Sequence, residues 1–232
     1  MTKKIGILGG MSPESTSTYY EYITHTYTER FGDFSYPEII IYSVSFQPFV
    51  DWPSAGRWDL VAEALAESAN RLEKAGADFI VIATNTMHIV FDEIQAKVNI
   101  PMLSLLDAVG QAIQAKNITK VGLLGTRFTM QNTFYADALQ KYGVEVIVPE
   151  GDEAVIVNQV IYDELVKGII NPESKKKFLA ITNNLQERGA QGVILGCTEI
   201  PLLINTGDTN LPLFDTTTIH AEAALNFALE TE

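Results

Sequence analysis

The chain has 232 residues, 47% hydrophobic and 19% charged, the composition of a folded protein long enough for one large domain or two modest ones. A net charge of −13 argues against a nucleic-acid partner, which would need a basic face, and a single cysteine excludes both an intramolecular disulfide and a multi-thiolate zinc site. Met1-Thr2-Lys3-Lys4 runs straight into Ile5, which leaves no room for a signal peptide's apolar region, and no apolar run reaches membrane-span length. A cytoplasmic protein without a membrane partner is expected.

Ile5-Gly6-Ile7-Leu8-Gly9-Gly10 reads as a buried strand ending in glycines. Met11-Ser12-Pro13-Glu14 then opens a helix, with Ser12 as N-cap and Pro13 at the first helical position. The glycine spacing is not the dinucleotide fingerprint, and no P-loop lysine follows. What remains is a strand-to-helix turn able to hold a small anion. Ile39-Ile40-Ile41-Tyr42 is a second strand, leading into a loop through Phe46, Gln47 and Pro48. Asp59 to Ala75 is a helix with Leu65, Ala69 and Leu72 on one face and Gly76 just beyond its end. Ala77 to Ile82 is the next strand, delivering Ala83-Thr84-Asn85-Thr86, and Ile100 to Leu106 is another.

The pattern then restarts. Val121-Gly122-Leu123-Leu124-Gly125-Thr126 repeats the opening strand, and Val144 to Val148 is a strand after a helix ending near Gly143. Ser174 to Arg188 is a helix ending at Gly189-Ala190, as the earlier one ended at Gly76-Ala77. Lys175-Lys176-Lys177, the only basic cluster, belongs to its solvated face. Leu211-Pro212-Leu213-Phe214 matches Ile100-Pro101-Met102-Leu103, and a last helix runs from about Ile219 to the C-terminus. Four matched landmarks in one order describe an internal duplication. The expected fold is α/β, with two similar lobes of parallel sheet flanked by helices, related by an approximate two-fold, and a small ligand held between them. Residues 1–106 and 213–232 form the first expected lobe, and 107–212 the second.

Between Gly192 and Pro201 lies the stretch richest in chemistry. Val193-Ile194-Leu195 is a buried parallel strand that stops at Gly196, and the lone Cys197 follows with Thr198 and Glu199. Ligands of open α/β sheets bind beyond the carboxyl ends of the strands, so a thiol there is placed to react. A buried structural cysteine is the alternative. The repeat sets Ala83-Thr84-Asn85 against Cys197-Thr198-Glu199. Two opposed proton-transfer groups would invert a carbon, but here one position holds a thiol and the other a methyl. His88 and Asp92 share a helical face, yet two side chains make a poor metal site, so no metal is expected. No Gly-x-Ser-x-Gly is present to support a serine hydrolase.

Gly6 to Ser12, Thr84-Asn85-Thr86-Met87-His88, Gly196-Cys197-Thr198-Glu199 and Asp215 to Glu222 together resemble the aspartate/glutamate racemase family. The resemblance covers the whole chain. It implies amino-acid racemisation by a pair of cysteines acting as acid and base, without pyridoxal phosphate or any other cofactor. It also implies a homodimer, an amino-acid substrate, and a thiol on the Cys197 side that serves the L-enantiomer. The family has a cysteine immediately before Thr-Asn-Thr, where this chain has Ala83. Either a natural relative lost one base or the chain is a deliberate Cys→Ala variant, and the otherwise complete motif favours the second. Cys197 and Ala83 are thus the expected catalytic positions, in an enzyme impaired at one of them.

By the same resemblance Met11, Ser12 and Thr126 frame the substrate. Thr84, Asn85, Thr86 and Thr198 bind its α-carboxylate and ammonium, ordinary capping being the alternative use of these residues. Gln47 stands where some relatives hold a side-chain carboxylate with arginine, which puts strict aspartate specificity in doubt. Helix N-termini are expected to lower the thiol pKa from its unperturbed value of about 8.5. Two rival functions share the sequence features: a single-cysteine decarboxylase of the arylmalonate type, and a sensor that binds an amino acid without turning it over.

Overall fold

The computed structural model describes residues 2–230, arranged as two compact units. The first ends its main segment at Ala108 and regains the chain from Thr217, and the second is Val109–Thr216. Residues 231 and 232, the expected end of the last helix, lie outside the described residues, as does Met1.

In the first unit the elements are β1 (Ile5–Gly9), α1 (Pro13–Phe31), β2 (Ile39–Ser43), α2 (Pro48–Ser54), α3 (Trp58–Lys74), β3 (Phe79–Ile82), α4 (Phe91–Gln95), β4 (Met102–Leu103) and α5 (Leu105–Gln114), which crosses the boundary. All pairings are parallel, in the order β2-β1-β3-β4. Strand alternation decides which layer each side chain joins. Ile5, Ile7, Phe79 and Val81 pack with Tyr19 and Ile23 of α1. Leu8, Ile80 and Ile82 pack on the other face with Val61, Leu65 and Leu72 of α3. A sheet covered on both faces explains why these strands read as unbroken apolar runs.

The second unit contains β5 (Lys120–Gly125), α6 (Arg127–Gln131), α7 (Phe134–Gln140), β6 (Glu145–Ile147), α8 (Asp152–Asp163), α9 (Pro172–Glu187), β7 (Val193–Gly196) and β8 (Leu213–Asp215). Its sheet repeats the first, parallel in the order β6-β5-β7-β8. Val157 and Val160 of α8 and Phe178, Ile181 and Leu185 of α9 bury Val193 and Leu195. The chain then enters α10 (Thr216–Leu229), whose Ala221, Ala224, Leu225 and Ala228 join the α1 layer of the first unit.

The duplication extends to single bonds. Ile80 N–H donates to the Pro101 carbonyl at 3.0 Å, and Val193 N–H to the Pro212 carbonyl at 2.9 Å. Each proline sits just before its short last strand, where its missing N–H is not needed. A Cβ on Gly9 would lie 2.4 Å from the Thr16 methyl, and one on Gly125 2.9 Å from the Thr129 methyl. Both glycines let the following helix close onto the strand end.

Several boundaries differ from the sequence expectation. Residues 213–216 fall in the second unit, because β8 hydrogen-bonds to β7. The strand expected over 100–106 stops at Leu103, since Ser104 caps α5 by accepting from Asp107 N–H through its hydroxyl and from Ala108 N–H through its carbonyl. The loop expected through Pro48 is instead the entry to α2, with Pro48 in its first turn. Helix α9 begins earlier than Ser174, with Asn171 as N-cap and Pro172 next.

Candidate active site

The carboxyl ends of β1, β2 and β3 gather the expected residues of the first unit. Leu8 pairs in register with both Tyr42 and Ile82, so the three strands finish together. Beyond β1, Met11 and Ser12 are buried, and Ser12 Oγ accepts from Ser15 N–H at 3.3 Å as the α1 cap. Ser15 Oγ–H donates to the Ala83 carbonyl at 2.8 Å, which ties the start of α1 to the end of β3. Ala83 is fully buried and packs in the α1/α10 apolar layer. Thr84 and Asn85 are buried beside it, and Thr86 starts a short 3-10 turn. Gln47 is exposed at the head of α2, where its Nε2 donates to Asp51 at 2.9 Å.

His88 organises this turn. Its Nδ1 lies 2.9 Å from the Thr84 carbonyl, and its Nε2 accepts from Leu105 N–H at 3.1 Å. These two bonds require a proton on Nδ1 and a lone pair on Nε2, hence a neutral ring. His220 is held the opposite way, with Nε2 donating to the Leu103 carbonyl at 3.0 Å and Nδ1 accepting from Tyr19 at 2.8 Å. Burial pushes His88 down to about 4. His220 falls to about 3, chiefly by burial and then by proximity to His88. Both imidazoles are structural ties of the strand-end loops. Among the described residues no cluster of three or more His, Cys, Asp or Glu could hold a metal.

In the second unit the ends of β5 and β7 meet in register at Gly125 and Gly196. Thr126 caps α6, with its Oγ1 accepting from Thr129 N–H and lying 3.1 Å from the Thr129 hydroxyl. Cys197 leaves β7 half-buried, against the apolar layer under α8 and α9. Its Sγ–H donates to Glu199 Oε2 at 2.9 Å, and Thr198 Oγ1 donates to the same oxygen at 2.8 Å. Ile200–Leu202 closes the stretch as a 3-10 turn.

The thiol is not activated as expected. No α-helix begins at Cys197, and a three-residue 3-10 turn carries almost no dipole. Burial pushes the thiol well above its ordinary value, and the charge and hydrogen bond of Glu199 push it further. Backbone N–H groups of 198 and 199 oppose this only in part. At rest Cys197 is a proton donor. Glu199 was visible only as a member of the Cys-Thr-Glu string, and its position two residues after the sole cysteine, inside an apolar run, was the available signal. Tyr135 and Tyr162 also lie within electrostatic reach of Cys197 and had no sequence signal at all.

A thiol–carboxylate pair at one strand end and a capped, polar loop at the equivalent strand end of a duplicated α/β fold define a class: acid–base enzymes acting on small molecules. Residues 8–224 match the model of the Asp/Glu/Hydantoin racemase family, and the chain belongs to that family. It is 28% identical to the broad specificity amino-acid racemase RacX of Bacillus subtilis over 228 residues, 96% of each chain. Among solved structures, an aspartate racemase homologue from Pyrococcus horikoshii superposes with a TM-score of 0.86 at 42% identity, covering 98% of this chain and 100% of that one. The aspartate racemase of Picrophilus torridus gives 0.76 at 25% identity, covering 97% and 94%. An arylmalonate decarboxylase, at 14% identity and a TM-score of 0.59 over 97% and 93%, shares the fold alone.

Proposed function

We propose that the protein is a pyridoxal-independent amino-acid racemase of the aspartate/glutamate type in which one of the two acid–base positions is silent. The observation that carries this reading is the half-buried Cys197 thiol at the carboxyl end of β7, hydrogen-bonded to a buried carboxylate. Family membership supports the reaction class, and the likeness to RacX, a broad specificity amino-acid racemase, supports an amino-acid substrate. Cys197 is the working acid–base group, removing or returning the α-proton of the L-enantiomer. Ala83 occupies the other position as a Cys→Ala replacement, and its methyl has no proton to exchange. Met11, Ser12, Thr84, Asn85, Thr86, Thr126 and Thr198 are the proposed substrate contacts, Ser12 and Thr126 through backbone N–H groups because their hydroxyls already cap helices. Donors at the α-carboxylate would stabilise the charge that develops there when the proton leaves. Gln47 is the proposed side-chain contact, and its neutral amide favours a broad over a strictly acidic specificity. We further propose a homodimer working in the cytoplasm, which light scattering and fractionation would test.

Restoring the second thiol tests the assignment. Ala83→Cys should raise racemisation of a bound amino acid by about 10²–10⁴-fold, the usual contribution of a positioned acid–base group. Both enantiomers would be followed by chiral chromatography. No gain with any amino acid the protein binds would remove Ala83 from the catalytic pair. The single cysteine also fits a one-thiol decarboxylase. Carbon dioxide released from an aryl malonate, without racemisation by Ala83→Cys, would select that reading, and tight binding with neither activity would select a sensor.

A further inference from the structure

Only Ala83, Thr84 and Asn85 link β3, which ends at Ile82, to the 3-10 turn that starts at Thr86, and the carbonyls of all three are held. Ser15 Oγ–H donates to the Ala83 carbonyl at 2.8 Å. His88 Nδ1–H donates to the Thr84 carbonyl at 2.9 Å, and the His88 backbone N–H donates to the Asn85 carbonyl at 3.0 Å. A trans peptide is planar, with its C=O and the following N–H pointing opposite ways. Holding the Thr84 and Asn85 carbonyls on His88 therefore directs the Asn85 and Thr86 N–H groups away from it. We propose that His88 is a positioning residue for the amino-acid site, acting through the Thr84 carbonyl to set how Thr84, Asn85 and Thr86 meet the substrate. This role rests on the function proposed above.

The ring is fixed in place and in tautomer. Nε2 accepts from Leu105 N–H at 3.1 Å, so the ring proton stays on Nδ1, facing Thr84. Phe91 stacks on the imidazole with 5.4 Å between centroids and 6° between planes. His220 meets it edge-on at 5.9 Å, and is itself held by Tyr19 and the Leu103 carbonyl. His88 is 4% exposed, so water does not compete for either nitrogen. Burial keeps the ring neutral down to about 4, which preserves the same donor across the neutral range.

The two ring nitrogens serve different elements. Nδ1 serves the link after β3, where the proposed contacts lie, and Nε2 serves the first residue of α5. A histidine that only satisfied buried backbone groups would need both bonds alike. A positioning histidine needs Nδ1 for the ligand, whatever each bond contributes to stability. Two substitutions separate these cases. His88→Asn sets an amide nitrogen where Nδ1 stands, the same number of bonds from Cβ, and leaves nothing at Nε2. His88→Gln sets an amide oxygen where Nε2 stands and leaves the Thr84 carbonyl without its donor.

Thermal melting and calorimetric binding of L-aspartate and L-glutamate would be measured on the unaltered protein, His88→Asn, His88→Gln and His220→Asn. All three variants should melt lower. His88→Gln should bind about ten- to a hundredfold more weakly, the scale of one buried acceptor left without its partner. His88→Asn should recover most of that loss. His220→Asn, which gives up the Leu103 bond of the adjoining ring, should keep the affinity of the unaltered protein. Equal loss of affinity in His88→Asn and His88→Gln, or loss that follows melting across all three variants, would overturn the proposal. If the unaltered protein binds neither amino acid, the amino-acid reading itself falls and takes the ligand role of His88 with it. Should His88→Gln fail to fold, NMR of the ring N–H protons in the unaltered protein decides. The bound amino acid should shift the His88 Nδ1–H signal and leave that of His220 Nε2–H in place, and a shift of neither would overturn the assignment.

Discussion

Gly196 is where strand geometry and thiol position meet, and Gly196→Ala perturbs both in a calculable way. A Cβ there would lie 2.8 Å from Leu123 Cδ1, 3.0 Å from the Leu124 carbonyl oxygen and 3.3 Å from the Thr129 methyl. The leucine tip can turn only into a packed interior, since Leu123 is 1% exposed. The carbonyl belongs to β5 and cannot move without opening the β5–β7 pairing. Overpacking of this kind costs about 1–3 kcal/mol. For a chain of this size that is a fall in Tm of roughly 2–12 °C. Relief comes by shifting the end of β7, which carries Cys197, and a displacement of about 1 Å at a reacting group can cost on the order of 10²-fold in rate. Thermal unfolding by circular dichroism and alkylation of Cys197 would be measured on the same preparation. Melting within 1 °C of the unaltered protein, with alkylation unchanged, would refute the claim that strand packing fixes the thiol.

The remaining predictions concern the first unit. His88 and His220 are buried and neutral, with folded pKa values near 4 and 3, so the unfolded chain binds more protons below about pH 6.5. Their contribution is therefore fully present above pH 6.5 and is lost as pH falls towards 4, each imidazole steepening the loss by up to about 1.4 kcal/mol per pH unit. Urea unfolding at pH 7 and pH 5 should show this fall, and His88→Asn should flatten it. A slope unchanged by His88→Asn would contradict the tie. Ser15→Ala removes the donor to the Ala83 carbonyl and should cost about 1–3 kcal/mol. It should weaken amino-acid binding by calorimetry while leaving Cys197 alkylation unchanged. Equal loss of both would mean general unfolding rather than a loosened loop.

The duplicated sheet was legible because strands buried on both faces read as uniform apolar runs, and because Gly9 and Gly125 each yield to a threonine on the next helix. The C′ glycine Gly76, at φ 97°, and the Ser12–Pro13 entry of α1 were legible from local chemistry. Short elements were not. Helix α2 begins at Gln47-Pro48 without a side-chain cap, and α8 follows Gly151 without one, so neither announces its start. The strand ends were legible, since β1, β3, β5 and β7 stop at Gly9, Ile82, Gly125 and Gly196, shortly before Ser12, Ala83, Thr126 and Cys197, the residues proposed for the site. The electrostatics of Cys197 were not, because they depend on burial by α8 and α9 and on how the Glu199 side chain folds back. That Ala83 is wholly enclosed also follows from α10, more than a hundred residues away in sequence, and no local pattern carries it.

Proton exchange at the substrate carbon tests the central claim most directly. L-aspartate and L-glutamate, then their D-enantiomers, would be incubated with the protein in deuterated water, the α-proton signal followed by NMR over hours, and chirality checked at the end. The expected result is slow loss of the α-proton from an L-amino acid that remains L, with far less exchange of the D-form. Cys197→Ser should abolish this exchange while calorimetric binding survives, since a serine hydroxyl is a far weaker acid than a thiol. Exchange that continues unchanged in Cys197→Ser would show that this thiol is not the base, and Cys197 would then be a structural residue under α8 and α9.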